Sequence, residues 1–328
     1  MEHALNFIMK TDFNHCEQVY WVFTQLCNDK CGHCYNNSGP HGQRISDEDC
    51  LKIISNLPPK IDKIILSGGE PLAERKQLYL ILDTLTEKYG IDQKITLQTN
   101  GDLMTEQILD TLLEKGVKGI SIASLDRFHK YAGAKLDGLK TLFNSRGMVD
   151  AMPYITLGEK HTGNMDPSWI TYTYFGANEE MWLGGNWARG RAMTNDIWMK
   201  DPKHNFCSIL SGAKNFLGGH NDSVQEISIQ LWAINPCCPG TKYPMGDARK
   251  DNVAEVLQRM TTSPVFQQLN NGEPYKMGET LGIAEEFALE RGKDLKNICL
   301  WCDEFFDHYY DIPTLSPKQD QESIPIEK

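Results

Sequence analysis

The chain has 328 residues, with 44 acidic against 33 basic side chains and a net charge of −11. That length holds one large domain or two smaller ones, and an acidic chain without a basic block carries no footprint for nucleic acid. No apolar run reaches the roughly 18 residues of a membrane span, and Met1 to Thr11 lacks a basic segment followed by a long apolar core, so no membrane partner and no export leader are expected.

Glu17 to Gln25 reads as a strand feeding the run Leu26-Cys27-Asn28-Asp29-Lys30-Cys31-Gly32-His33-Cys34-Tyr35. Its C-x3-C-x2-C spacing puts three thiolates in one loop. Cysteine is the usual ligand of iron–sulfur clusters, and three local ligands on a four-iron cubane leave one iron open to a cofactor or substrate. Taken alone, the triplet also fits a zinc knuckle with His33 as fourth ligand. Ser46 can cap a helix with Asp49 three residues on, and Leu51, Ile54 and Leu57 fall on one face of it. Ile61 to Leu66 is a buried-strand pattern ending in Ser67-Gly68-Gly69-Glu70-Pro71. Two glycines there let backbone approach a ligand, and Glu70 offers a carboxylate to an ammonium group; by itself the run is equally a tight turn.

Leu78, Ile81, Leu82 and Leu85 form a helical stripe that Gly90 can end. Lys94 to Gln98 is strand-like and runs into Thr99-Asn100-Gly101. Thr105 can cap a helix carrying Ile108, Leu109 and Leu112, closed by Gly116. Further strands are expected at Lys118 to Ile122, Met152 to Leu157 and Ile170 to Phe175. This alternation implies an α/β fold with a parallel sheet, and the motifs after the cysteines fall at strand C-terminal ends, where such folds build active sites. From about Ala192 the alternation fades and thiols return at Cys207, Cys237, Cys238, Cys299 and Cys302. Five thiols without a secretory context suggest a second metal site and reduced cysteines in the cytoplasm. Cys16 and Cys50 lack partners and read as small buried residues. The segment from Asp311 to Lys328, polar with three prolines, is expected to be disordered.

Four motifs in order, the Cys27/Cys31/Cys34 triplet, Gly68-Gly69-Glu70-Pro71, Thr99-Asn100-Gly101 and the strand end Ile122 to His129, resemble those of radical S-adenosylmethionine (radical SAM) enzymes. The resemblance implies an α/β partial (β/α)6 TIM-like barrel over residues 17–191, after an extension at 1–16. Cys207, Pro236-Cys237-Cys238, the turn Tyr243-Pro244-Met245-Gly246-Asp247 with a helix from Val253 to Met260, and Cys299-x2-Cys302 resemble the small C-terminal twitch/SPASM-like auxiliary-cluster domain, here 192–310, before the tail at 311–328. It further implies S-adenosylmethionine and two [4Fe–4S] clusters. One sits on Cys27, Cys31 and Cys34, the other on Cys207, Cys237, Cys299 and Cys302. His33, Ser67, Gly68, Gly69, Glu70, Asn100, Ser124, Asp126 and Arg191 are the cofactor-binding candidates by this likeness. Strand-end capping is the other use of Ser124 and Asp126, and Arg189 with Arg191 also reads as a surface pair. His129 is a candidate proton carrier, or packs locally.

The implied chemistry is reductive cleavage of S-adenosylmethionine to a 5′-deoxyadenosyl radical that takes hydrogen from a substrate carbon, with an external one-electron reductant of the flavodoxin or ferredoxin type. The Cys237-Cys238 doublet resembles that of radical epimerases. One thiol completes a four-ligand site and the other is free to return hydrogen to a carbon radical, with Cys238 the expected donor and Cys237 the expected ligand; the reverse assignment and a spectator second thiol, as in other auxiliary-cluster domains with Pro-Cys-Cys, are the alternatives. Epimerisation of a peptide or small-molecule stereocentre is the first expectation. Two-electron dehydrogenation of a polyol, aminocyclitol or peptide side chain, with the auxiliary cluster as acceptor, is the second. A non-enzymatic iron–sulfur electron carrier is the third, disfavoured by an open iron beside a Gly-Gly-Glu. Only 26 residues precede Cys27, so either the substrate is small or a separate protein presents a peptide.

Overall fold

Strands and helices alternate along the first half of the chain, and the strands assemble side by side. The computed structural model describes residues 10–123, 129, 135–154, 165–176, 187–209, 212–219 and 222–318. In chain order the elements are β1 (Asp12–Val22), α1 (Asp47–Asn56), β2 (Lys60–Ser67), α2 (Arg75–Tyr89), β3 (Lys94–Thr99), α3 (Glu106–Glu114), β4 (Val117–Ala123), α4 (Leu136–Ser145), β5 (Val149–Asp150), β6 (Thr171–Phe175) and α5 (Gly190–Thr194). They continue with β7 (Ser223–Gln230), β8 (Ala233–Asn235), β9 (Gly246–Asp247), α6 (Val253–Met260), α7 (Pro264–Asn270), α8 (Glu285–Leu295), α9 (Ile298–His308), β10 (Tyr310–Asp311) and β11 (Ser316–Pro317).

A 9-stranded sheet has the order β5-β6-β4-β3-β2-β1-β7-β8-β9. From β5 to β7 every pairing is parallel, and β8 and β9 return antiparallel. This is the expected α/β class with a mostly parallel sheet. β7 lies beyond residue 192 and pairs with β1, so the second half of the chain extends the same sheet. Helical stripes cover one face. Leu78, Ile81, Leu82 and Leu85 of α2 and Leu109 and Leu112 of α3 are fully buried, each such side chain stabilising by about 1.5–3 kcal/mol. Both caps form as the sequence implies: Ser46 accepts from Asp49 N and Thr105 from Ile108 N. Gly90 ends α2 at a φ of 91°. Cys16 and Cys50 are fully buried.

Four local expectations are corrected. Leu51 is 43% exposed, because the inward face of α1 is set by Cys50, Ile53 and Ile54. The first strand is displaced toward the N-terminus, ending at Val22 rather than Gln25, since Phe23 to Leu26 leave the sheet to bond the loop at Gly39 to Gln43 and the Ser67-Gly68-Gly69-Glu70 turn. Met152 begins a turn rather than a strand: Asp150 Oδ1 accepts from Met152 N at 3.0 Å, and Pro153 has no N–H to give a ladder. Residues 155–157 of that expected strand lie outside the described residues. Residues 311–318 are ordered. Ile312 is buried, β10 pairs with β11, and Lys318 N donates to the Tyr309 carbonyl, so apolar anchoring overrides the polar composition. Residues 319–328 lie outside the described ones.

Candidate functional site

The cysteine loop follows β1, and its backbone is tied down from both sides. Cys27 N donates to the Gly39 carbonyl at 2.9 Å, and Glu70 N donates to the Leu26 carbonyl at 2.8 Å. A Cβ at Gly69 would stand 2.4 Å from Leu26 O, and one at Gly68 would stand 2.8 Å from Thr24 O. The two glycines therefore let the turn press against the cysteine loop itself. Cys31 Sγ donates to Asp29 Oδ2 at 3.3 Å and Cys34 Sγ to Asn36 Oδ1 at 2.9 Å. Burial, with help from Glu70 and Cys34, pushes the Cys27 thiol up to about 12, and burial with Asp29 pushes Cys31 higher. Thiols so disfavoured as bare thiolates suit a cationic group that compensates them. Among the described residues no three His, Cys, Asp or Glu side chains converge at the distances of a single ion. A four-iron cubane is wider than an ion and spaces its thiolates further apart. His33 is buried with its ring edge-on to His129, 5.1 Å between centroids.

Glu70 is fully buried and its carboxylate already has partners. Oε1 accepts from Leu72 N (2.9 Å) and Thr99 Oγ1 (2.7 Å), and Oε2 from Asn100 N (2.7 Å). Burial raises its pKa against these three bonds. A carboxylate has about four lone-pair positions, so one remains, on Oε2. Asn100 Nδ2 donates to Asn28 Oδ1 at 2.9 Å and its own Oδ1 accepts from Asp102 N, which ties the β3 end to the cysteine loop. Lys135 pairs with Asp102 beneath it. Ser124 and Asp126 lie outside the described residues. Tyr172 and Tyr174 serve packing: Tyr172 is buried against Phe143, and Tyr174 carries Lys140 over its ring.

One face of the central strands is polar at its C-terminal end. The register sets Tyr20 beside Ile65 on β2 and Ser228 on β7. Tyr20 Oη stands 2.9 Å from Ser67 Oγ and 2.7 Å from Gln98 Oε1, and Ser67 Oγ donates to Gln98 Oε1 at 2.7 Å. Tyr35, directly after Cys34, brings its hydroxyl 3.4 Å from that of Tyr20 and its ring edge-on to the buried Trp187 at 4.9 Å. The Cys238 thiol stands against these two hydroxyls, with Glu226 and Cys237 as its other main neighbours. Gln230 Nε2 donates to the Cys238 carbonyl at 2.7 Å and fixes that turn.

Cys237 has a different set of neighbours. Its neighbours are Cys299, Arg189 and Asp303. Cys207 and Cys302 sense the same group, so four thiols from three distant segments share one buried place. Local caps aim them. Asn205 Oδ1 accepts from Cys207 N at 3.0 Å, and Asn297 Oδ1 from Cys299 N at 2.8 Å, starting α9 so that Cys299 and Cys302 fall three apart on one face. Burial pushes Cys237 up to about 12 and Cys299 to about 11, and raises Cys207 and Cys302 well above their ordinary range. Between the two thiol groups runs Arg189-Gly190-Arg191. Arg191 Nε donates to the Cys31 carbonyl at 2.9 Å, its Nη2 to the Ser38 carbonyl, and its N to the Cys34 carbonyl at 2.9 Å. Its guanidinium thus fastens the cysteine loop. Arg189 turns to Asp303. Sequence reasoning passed over Tyr20, Tyr35 and Asp303. Tyr35 alone had a local signal, its place after Cys34.

Residues 21–133 match the family model of the Radical SAM superfamily. Among curated proteins, the AdoMet-dependent heme synthase of Methanosarcina barkeri is 33% identical over 112 residues, 32% of this chain and 30% of that protein. The radical SAM cyclopropyl synthase TigE of Paramaledivibacter caminithermalis is 26% identical over 147 residues, 39% of this chain and 31% of that protein. The match thus spans about a third of each of these relatives. Among solved structures, BtrN in complex with AdoMet and 2-DOIA has a TM-score of 0.47 at 15% identity, covering 78% of this chain and 87% of that one.

Proposed function

We propose that the protein is a radical SAM enzyme with two [4Fe–4S] clusters that inverts a carbon stereocentre, Cys238 being the hydrogen donor. The observation that carries this reading is the divergence of the adjacent thiols: Cys237 joins Cys207, Cys299 and Cys302, while Cys238 faces Tyr20 and Tyr35. Cofactor and cluster, when bound, supply one-electron cleavage and a hydrogen-abstracting radical. The chain's own part is to hold, shield and reset. Cys27, Cys31 and Cys34 would hold the first cluster, with Arg191 fastening the loop that carries them. Glu70 would order the Thr99-Asn100-Gly101 turn and offer its last lone pair to the methionyl ammonium, with Gly68, Gly69 and Asn100 shaping that pocket. His33, Ser67, Ser124 and Asp126 are the remaining candidates for contact with the cofactor. Cys238, 6% exposed, would deliver its hydrogen atom to one face of a substrate carbon, and one electron from the external reductant with a proton exchanged from solvent would return the resulting thiyl radical to S–H.

Burial of Cys238 beside hydroxyls favours a polar substrate, a peptide or a hydroxylated small molecule. The external reductant is of the flavodoxin or ferredoxin type. The test is anaerobic turnover of candidate peptides and aminocyclitols in D2O, read by mass spectrometry. Inverted product carrying one deuterium supports the reading. Product that has lost two hydrogens replaces it with dehydrogenation. Iron without any cleavage of S-adenosylmethionine leaves only an electron carrier.

A further inference from the structure

The second thiol group has a charged partner whose sign and placement bear on redox chemistry. Arg189 follows the buried Trp187-Ala188 pair and reaches between the Pro-Cys-Cys turn and the first turn of α9. Its Nε donates to the Gly240 carbonyl and its Nη2 to the Cys299 carbonyl, both at 3.4 Å. Nη1 lies 2.9 Å from Asp303 Oδ2 and Nη2 donates to Asp303 Oδ1 at 3.0 Å, a two-pronged pairing. Both side chains are largely out of water, 14% and 20% exposed. Cys207, Cys237, Cys299 and Cys302 each count Arg189 among the groups that favour their charged form, and three of them, Cys237, Cys299 and Cys302, count Asp303 among those that oppose it.

A cluster on four thiolates is a buried anion, and reduction adds one more negative charge. In a low-dielectric site a fixed cation close by stabilises the reduced form and a fixed anion opposes it. Resting on the reading that these four thiols hold a cluster, we propose that the Arg189–Asp303 pair sets that cluster's reduction potential, Arg189 raising it and Asp303 lowering it. Arg189 is then a positioning residue, holding charge and backbone rather than substrate. The pair decides how readily the cluster takes an electron from a donor or a substrate radical.

The experiment needs no substrate. Reconstituted full-length protein is titrated with redox mediators and followed by electron paramagnetic resonance, with iron counted first. Arg189→Gln should cut the reduced-to-oxidised ratio of one cluster at least about ten-fold at the wild-type midpoint, about 59 mV for a one-electron couple. Asp303→Asn should move the same cluster the opposite way. Arg189→Lys, which keeps the charge, should stay near wild type, and Asp303→Asn carries the test if the glutamine variant fails to load iron. The other cluster's midpoint should hold in all three. Unmoved potentials in Arg189→Gln and Asp303→Asn proteins that keep both clusters overturn the proposal, as do shifts of one sign in both. A wild-type count of one cluster instead overturns the cluster reading beneath it, before any potential is read.

Discussion

Replacing Glu70 with alanine tests how the Gly-Gly-Glu turn is built. The carboxylate is fully buried and accepts from Leu72 N, Asn100 N and Thr99 Oγ1. Deleting it strands two backbone amides in a dry site, and each unsatisfied buried donor costs about 1–3 kcal/mol. The Thr99 hydroxyl can turn elsewhere, so the expected loss is about 2–6 kcal/mol. Thermal and urea unfolding of the cofactor-free protein would show it as a midpoint lower by several degrees. Glu70→Gln keeps one carbonyl oxygen but aims an NH2 at a donor, and should lose less. Because burial raises the Glu70 carboxyl above its ordinary value, the folded protein holds that proton more tightly than the unfolded chain. Wild-type stability should therefore fall as pH rises from the ordinary to the raised value, and Glu70→Gln should lose that segment of pH dependence. A Glu70→Ala protein as stable as wild type would refute the reasoning and leave the carboxylate free for the cofactor alone.

Other perturbations follow from the same geometry. Gly190 has a φ of +51° and a Cβ there would stand 2.3 Å from Tyr35 O, so Gly190→Ala should push the cysteine loop away and speed iron loss to a chelator. Arg191→Gln frees the Cys31 and Ser38 carbonyls and removes charged hydrogen bonds worth about 1.5–3 kcal/mol each; it should make the first cluster labile while the auxiliary signal persists in spectra. Thr105→Ala, which removes the cap of α3, should cost about 1 kcal/mol in denaturant titration without changing iron content.

Much of the sheet and its helices was legible because the signals are local. A capping serine or threonine, a heptad-like stripe and a terminal glycine act within one or two turns, as α1, α2 and α3 show. The same locality failed where backbone met backbone across the chain. Gly68 and Gly69 read as room for a ligand, and sequence could not show that they also let the turn approach Thr24, Gln25 and Leu26. The pairing of β7 with β1 joins Tyr20 to Ser228, and no spacing rule reaches that far. Arg191 read as a cofactor-binding candidate, and sequence could not show its bonds to the loop carbonyls. The cysteine doublet sits between these cases. Its presence was plain, but which way each thiol points depends on the Gln230 bond to the Cys238 carbonyl and on the caps that aim Cys207 and Cys299.

The divergence of Cys237 and Cys238 is tested most directly by counting iron in three reconstituted proteins. Two cubanes bring about eight irons to the wild type. Cys238→Ala should keep about eight and both spectroscopic signals, since its thiol faces Tyr20 and Tyr35. Cys237→Ala should fall toward about four, losing the auxiliary signal, since its thiol belongs to the Cys207, Cys299 and Cys302 group. Iron lost equally from both variants, a wild type holding only about four, or zinc in place of iron would contradict the account.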